Sequence, residues 1–274
     1  MLSADEGTIR TLVFLGTLGG FSLLEAAFPR QRNHLPLPFR RTHNILLTIL
    51  NTVVLRLVVP FTPYLAAEWG QAHSAGLLHQ SGLPVWLKAV LGLAILDLLV
   101  YGQHVLFHWN PMLWRLHRVH HSDRVLDAST ALRFHLGEVF LSMVLKSLTV
   151  VVLGILPWVI ILFEIMLNSA AIFNHSNLRI PPVLERPLRL VLVTPDLHRI
   201  HHSIRSDEMH HNFGFSIIWW DWLFRTYLPR AAQSAEELMV GLDEFPPERS
   251  RRIDQLLLQP FRNSSTKNPP ELPD

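Results

Sequence analysis

The sequence concentrates histidine in one part of the chain, with spacings that suit metal binding. Of 16 histidines in 274 residues, twelve lie between positions 104 and 211. His104 and His108 are four residues apart, so on a helix both imidazoles lie on one face, with Cβ atoms about 5–6 Å apart. Two further boxes share the pattern His-x2-His-His. These boxes are His117, His120 and His121, and His198, His201 and His202.

These spacings predict two metal ions held together by imidazole nitrogens. Neighbouring residues point about 100° apart around a helix, so each adjacent histidine pair can serve two different ions. With His175, in Asn174-His175-Ser176-Asn177, nine histidines are available. A tetrahedral zinc site needs only four ligands, whereas nine nitrogens suit two ions with four or five ligands each. Imidazole binds zinc, copper, iron and nickel, so the ligands alone leave the metal open.

Cysteine is absent from the sequence, which excludes disulfides and metal sites built on thiolates. Charged side chains inside apolar runs cost about 2.5–3.5 kcal/mol at a helix centre, so Asp97 needs a role. It precedes His104 by two turns on the same predicted face. We predict that its carboxylate accepts the free N–H of a metal-bound histidine. The alternatives are a cap on a neighbouring helix, or a pair with Lys88 or Arg56.

Other polar residues are candidates for supporting the metals. Together with Asp97, Glu138 and Asp221 are predicted to balance the metal charge, because neutral imidazoles leave it uncompensated. His135 is predicted to be a partner of a ligand rather than a ligand itself. His210 and His211 are expected at the surface or facing the substrate.

A membrane-embedded helical bundle is the element predicted to position these residues. Hydrophobic residues make up 49% of the chain and charged residues 17%, and mean hydropathy is +0.24. Soluble domains carry about 25% charge. We therefore expect an all-α, multi-pass bundle of four to five membrane helices with a helical cap that carries the histidine boxes. Its apolar runs are Ile9–Phe28, Ile45–Ala67, Val85–Phe107, Glu138–Leu156 and Trp158–Phe173, and the last two are expected to form a tight hairpin.

Arginine placement predicts the orientation. Arginines follow the first, third and fifth apolar runs, whereas residues 68–84 contain no Lys or Arg. Basic loops favour the cytoplasmic side, so the histidine boxes are predicted on the cytoplasmic face. We divide the chain into N-terminal membrane helices (1–82), a catalytic domain (83–230) and a C-terminal extension (231–274). The extension is expected to be disordered from Pro260 onwards, where Pro, Ser and Asn prevail.

The ordered series of motifs resembles the fatty acid hydroxylase/sterol desaturase superfamily from about Leu83 to Pro229. After the first two histidine boxes come Asn-His-Ser-Asn, Pro-x2-His-Arg-Ile-His-His-Ser, Asn212-Phe-Gly, and Trp220-Asp-Trp-Leu-Phe-Arg-Thr-Tyr227. His210 stands where the family often has Asp. The resemblance implies a membrane enzyme with a non-haem di-iron centre, with the nine histidines as its ligands. It adds Asn212 to the candidate catalytic residues.

The resemblance further implies O2 as co-substrate and a bilayer lipid that is hydroxylated or desaturated. Electrons must then come from an external donor, a reductase, ferredoxin or cytochrome, since no flavin, haem-attachment or ferredoxin motif is visible. A zinc-dependent membrane hydrolase and a non-catalytic metal or haem carrier are the alternatives. The formal charge of +2 is too small to suggest nucleic acid.

Overall fold

The computed structural model describes residues 2–32, 37–245 and 250–263, and this part of the chain is helical. Five stretches within it are long and apolar enough to cross a membrane, the second of them broken at Val59–Thr62. The expected all-α, multi-pass bundle is thereby confirmed. The long helices are α1 (Leu2–Ala27), α2 (Leu37–Val58), α5 (Val85–Trp109), α7 (Leu136–Leu153) and α8 (Pro157–His175).

Shorter helices connect the long ones and form the cap. They are α3 (Pro63–Ala72), α4 (Leu77–Gln80), α6 (Pro111–His121), α9 (Pro182–Leu188), α10 (Pro195–His201), α11 (Ser206–Met209), α12 (Trp219–Leu223) and α13 (Ile253–Leu258). Two 3₁₀ turns, Ala128–Leu132 and Gln259–Phe261, complete the described elements. Within these residues, β-structure is limited to isolated bridges.

The second apolar run is two helices rather than one. Pro60 lies in the break and Pro63 begins α3, which Thr62 caps by accepting a hydrogen bond from the Leu65 N–H. α3 then packs against both α7 and α8. The predicted hairpin of α7 and α8 has a connection of only three residues, and it turns at Gly154 in the left-handed conformation (φ 69°). A Cβ there would lie 2.8 Å from the Ala75 carbonyl, so glycine is required.

α5 and α8 pack together through buried aliphatic and aromatic side chains. Leu96 and Val100 of α5 join Val159, Ile160 and Phe163 of α8 in one apolar cluster. This contact fixes the relative rotation of the two helices. His108 lies in the last turn of α5 and His175 ends α8, so the packing brings these two histidines to the same end of the bundle.

Buried ion pairs connect the first two helices to the cap. Glu25 of α1 accepts hydrogen bonds from the backbone N–H groups of Ala128 and Asn177, each at 2.9 Å. Arg40 of α2 pairs with Asp123 at 2.5 Å and also with Asp127. The first two helices therefore support the cap directly.

Several of the arginines from which the orientation is predicted stabilise the fold. Arg40, Arg133 and Arg199 are all buried. Arg133 donates to the Val119 carbonyl and Arg199 to the Asn177 side chain. Because these arginines have partners inside the protein, their positions do not indicate which side of the bilayer the cap faces. The cytoplasmic placement stays a prediction.

The start of the predicted disordered tail is packed against α6. Arg115 donates to the Pro260 carbonyl at 2.5 Å, and Arg118 donates to the carbonyls of Gln259 and Arg262. Disorder from Pro260 is therefore wrong for residues 260–262. Residues 264–274 lie outside the described part of the chain.

Candidate metal centre

The nine histidines of the boxes come together in two buried groups, and within each group the candidate ligand nitrogens lie within 4.8 Å of one another. The group of five contains His104, His108, His117, His121 and His201; the group of four contains His120, His175, His198 and His202. Each adjacent pair is divided between the groups, as helix geometry predicts. His117, which could have joined either neighbour, lies with His121.

Local sequence explains how the boxes are presented. Asn110 ends α5 and caps α6, because its side chain accepts from the N–H groups of Met112 and Leu113. Pro111 occupies the first turn of α6, where its missing N–H costs nothing. Pro195 plays the same part at the start of α10. Two short helices with fixed starts therefore carry the two His-x2-His-His boxes towards the ends of α5 and α8.

Backbone and carboxylate oxygens orient four of the rings. The Nδ1–H of His104 donates to the Phe213 carbonyl at 2.7 Å. His175 donates to the Ala171 carbonyl at 2.6 Å and His201 to the His211 carbonyl at 2.8 Å. His117 faces Glu138 Oε1 at 2.7 Å. Since these oxygens only accept, Nδ1 carries the proton, and in a neutral ring Nε2 keeps its lone pair.

The lone pairs of His104 and His117 point at one another, and that of His175 points at the Nε2 atoms of His120 and His198. His104 Nε2 lies 3.1 Å from His117 Nε2, and His175 Nε2 lies 2.9 Å from His120 Nε2 and 3.0 Å from His198 Nε2. Two lone pairs at this distance repel each other unless a cation lies between them. Nitrogens bound at about 2.1 Å and 90° apart on one metal would themselves be about 3 Å apart. The spacing therefore fits shared metal ions.

Unpartnered nitrogens support the same interpretation. Both ring nitrogens of His108, His121 and His202 are buried and have no hydrogen-bond partner among the described residues. A buried polar group without a partner costs about 1–3 kcal/mol, so three such rings together would be expensive. Metal ions would satisfy one nitrogen of each ring, and the donor set of both groups fits them.

Burial keeps the rings of the cap in the form that metals bind. It lowers the pKa of His120, His121, His198 and His202, and neighbouring histidines lower it further. Their imidazoles are thus neutral near neutral pH. A histidine must be neutral to ligate, so no proton has to be displaced.

Comparison with known proteins supports the same class of site. The family model described as Fatty acid hydroxylase matches residues 89–226, which is half of the chain and contains all nine histidines. The chain belongs to the fatty acid hydroxylase family. No solved structure gave a significant match.

Curated relatives of this family member are named for lipid oxidation. Ornithine lipid hydroxylase OlsE of Rhizobium tropici is 31% identical over 144 residues, covering 53% of this chain and 43% of that protein. Alkylglycerol monooxygenase of Danio rerio is 31% identical, covering 64% and 36%, and that of Homo sapiens is 26% identical, covering 59% and 35%. The chain spans less than half the length of the relatives it matches.

In this fatty acid hydroxylase family member, Glu138 lies beside the group of five. The carboxylate is buried, and its Oε1 orients His117 of the group of five. Its Oε2 has no hydrogen-bond partner within the part of the chain that the structure describes. Glu138 therefore orients one ring of the group, and its part in balancing the metal charge stays a prediction.

His135 acts on the helix that carries Glu138. Its Nδ1 accepts from the Gly137 N–H at 3.1 Å, which caps α7, and its Nε2 lies 3.3 Å from the Leu257 carbonyl. It belongs to neither histidine group and contacts none of the nine rings. Among the described residues His135 contacts the start of α7 rather than a ligand, and its role in the site stays a prediction.

Asp97 does not support a metal-binding histidine. Its Oδ2 accepts from the Trp220 indole N–H at 2.8 Å, and the His104 N–H is taken by Phe213. The predicted pairing is wrong because seven residues along a helix amount to about 10 Å, beyond the reach of a carboxylate. The alternatives of a helix cap or a pair with Lys88 or Arg56 do not describe this contact with Trp220 either.

Asp221 and Asn212 shape the loop behind the site instead of facing it. Asp221 accepts from the Phe213 and Gly214 N–H groups and from the Thr226 hydroxyl, at 2.7–2.9 Å. Asn212 has a positive φ of 55°, and its side chain binds the Leu197 and Leu228 carbonyls. These bonds hold the loop whose Phe213 carbonyl accepts from His104. Charge balance by Asp221 and a catalytic part for Asn212 stay predictions.

His210 lies next to the group of five without joining it. Its ring stacks on Trp109, with centroids 4.6 Å apart, and lies 5.6 Å from the His108 ring. Sequence reasoning missed the carbonyls of Phe213, His211 and Ala171, because a backbone oxygen carries no residue-type signal. It also missed Phe134, which stacks on the His120 ring at 4.4 Å.

Proposed function

We propose that this chain is a membrane-bound lipid hydroxylase that holds two iron ions, one on each histidine group. It uses O2 and externally supplied electrons. The observation that carries the proposal is the convergence of the nine imidazoles into a group of five and a group of four, with facing lone pairs. Family membership supports it.

Iron is favoured over zinc by the chemistry in the relatives' names. A hydroxylase and a monooxygenase both insert oxygen into a substrate, and imidazole suits iron as well as zinc. Iron bound at the two groups would supply the O2 chemistry that no amino-acid side chain can perform. The relatives' names favour hydroxylation over desaturation.

The protein's own residues would hold the ligands and keep the site dry. Glu138 and the Phe213 carbonyl orient rings of the group of five, and such partners typically change metal affinity 10- to 100-fold. Phe215 packs on the His104 ring at 5.1 Å, and Phe134 covers His120. Apolar faces around the rings exclude water, which strengthens every electrostatic interaction inside.

The proposed substrate is a bilayer lipid with a polar headgroup. The relatives are named for ornithine lipid and for alkylglycerol, two lipids that combine apolar chains with a polar end. The histidine groups lie at the same ends of α5 and α8, and we propose that these ends face the cytoplasm. A cytoplasmic reductase, ferredoxin or cytochrome would then supply electrons.

Anaerobic purification followed by elemental analysis tests the proposal. We expect two irons per chain, and lipid extracts from expressing cells that contain a species with one added oxygen atom by mass spectrometry. His120→Ala should abolish that species, whereas His73→Ala, at an exposed histidine outside both groups, should retain it. Zinc at the site, or lipid cleavage without O2, would instead support the hydrolase.

A further inference from the structure

A large apolar surface outside the spanning helices is left exposed by the residues that the structure describes. Within residues 183–224, eight large apolar side chains are exposed, with Val183 at 76% and Leu223 at 65%. We call this surface the α9–α12 face. It consists of Val183, Leu184, Leu190, Val191, Trp219, Trp222, Leu223 and Phe224. Contiguous exposed apolar side chains of this extent mark protein or membrane contacts.

Two contacts place α12 at the level of the membrane-spanning part of α5. Trp220 donates to Asp97 at 2.8 Å, and the Phe224 ring stacks on Tyr101 with centroids 5.4 Å apart. Asp97 lies twelve residues after Val85, or about 18 Å along the helix axis. A hydrocarbon core is about 30 Å thick. Asp97 is therefore near the middle of the span, about 10 Å deeper than His104.

We propose that the α9–α12 face is immersed in the bilayer, with lipid acyl chains as its partner. α12 does not cross the membrane, since it has five residues. It would dip into one leaflet from the cap and lie along α5. The neighbouring segment starts at the membrane boundary as well, because Leu178 forms a backbone bridge with Pro29 just after the end of α1.

An apolar groove on the same face fits an acyl chain. It has a volume of about 430 Å³, within the range of about 300–1,000 Å³ usual for small-molecule sites. Leu184, Pro187, Leu188, Val191 and Leu192 line it. The chain runs from this groove directly into Thr194 and α10, which carries His198 and His201. The idea that substrate enters through this groove rests on the proposed function. The idea that the groove contacts the membrane does not.

The exposed charges near this face are compatible with immersion. Arg186 and Arg225 are exposed beside it. Arginine can bury its aliphatic stem in hydrocarbon while its guanidinium reaches lipid phosphates. Charges of this type at the rim, with Leu and Trp between them, are typical of segments that lie in the interface.

Spin labelling in liposomes tests the immersion. Because the natural sequence has no cysteine, Leu223→Cys and Val183→Cys each provide a single labelling site. We expect both labels to collide with O2 more than with a water-soluble nickel complex. Leu148→Cys, at an exposed apolar position of α7, gives the lipid reference. Asp207→Cys, with a side chain 65% exposed in the cap, gives the water reference.

The outcomes separate the possible partners. Labels at Leu223 and Val183 that behave like the Asp207 label would overturn immersion. Spin–spin broadening between labels would show instead that a second copy of the chain covers the face. Each variant is accepted only if it elutes from size exclusion like the unlabelled protein. The readout does not require activity, so failure of the proposed hydroxylation would leave the result intact.

Discussion

Replacing Glu138 should weaken one metal site and leave the other unchanged. Its carboxylate lies 2.7 Å from His117 Nδ1, in the range of a charge-assisted hydrogen bond. His117 belongs to the group of five only. Glu138→Gln keeps an acceptor at the same place but removes the charge, whereas Glu138→Ala removes both.

The magnitude follows from the difference between the two kinds of hydrogen bond. A bond to a charged group contributes about 1.5–3 kcal/mol and a neutral one about 0.5–1.5 kcal/mol. The loss of about 1–1.5 kcal/mol corresponds to roughly tenfold weaker binding for Glu138→Gln. For Glu138→Ala, loss of the partner of a metal-bound histidine costs up to about 100-fold.

Anaerobic titration of metal-free protein with ferrous iron, against a competing chelator, measures both sites. We expect two binding events in the wild type, of which only one weakens in the Glu138 variants. Asp97→Asn is the matched control, a buried carboxylate that contacts Trp220 and no histidine, and it should leave both affinities within about twofold. Equal weakening of both events, or an Asp97 effect as large as that of Glu138, would refute the reasoning.

Three further predictions concern the rest of the site. His108→Ala and His198→Ala should each reduce bound metal by one ion per chain, because the two histidines lie in different groups. Elemental analysis measures this. Loss of both ions in each variant would contradict two separable sites. Glu25→Ala leaves the buried Ala128 and Asn177 N–H groups without their acceptor. It should cost about 1–3 kcal/mol for each of the two N–H groups, measured as a lower Tm of the metal-free protein in detergent. An unchanged Tm would count against this prediction. Burial, with the neighbouring histidines, lowers the pKa values of the cap histidines, so below about pH 6.5 the unfolded chain binds more protons than the folded one. Metal-free protein should therefore lose up to about 1.4 kcal/mol per histidine for each pH unit of acidification; a Tm that is flat from about pH 7 to pH 5 would exclude this.

The division of the histidines could be predicted because it depends on local geometry. Spacings of three and four residues bring rings together, and adjacent residues diverge, whatever the rest of the fold does. Asp97 shows the limit of that reasoning. A shared helix face shows only that Asp97 and His104 point in the same direction. Their separation along the helix axis keeps them apart, and Asp97 instead contacts Trp220, which is 123 positions away in sequence.

Contacts between distant segments account for what sequence reasoning missed. The pairing of Glu138 with His117 spans 21 positions and depends on how α7 packs against α6. The Phe213 carbonyl that accepts from His104 lies in a loop whose backbone N–H groups are bound by Asp221. Apolar runs, in contrast, predicted the long helices well, except where Pro60 and Pro63 divide the second one.

The support that Glu25 and Arg40 give to the cap has a consequence for how such enzymes are engineered. The segment recognised by the family begins at residue 89, yet Glu25, Arg40 and Asn44 hold the residues around Asp123 and Asn177 in place. A fragment trimmed to the recognisable segment would carry every histidine and lose the scaffold that aims several of them. The histidine boxes alone are thus not enough to transfer the site to another protein. A chimaera that transplants them must bring helices α1 and α2 as well, or rebuild their buried charges.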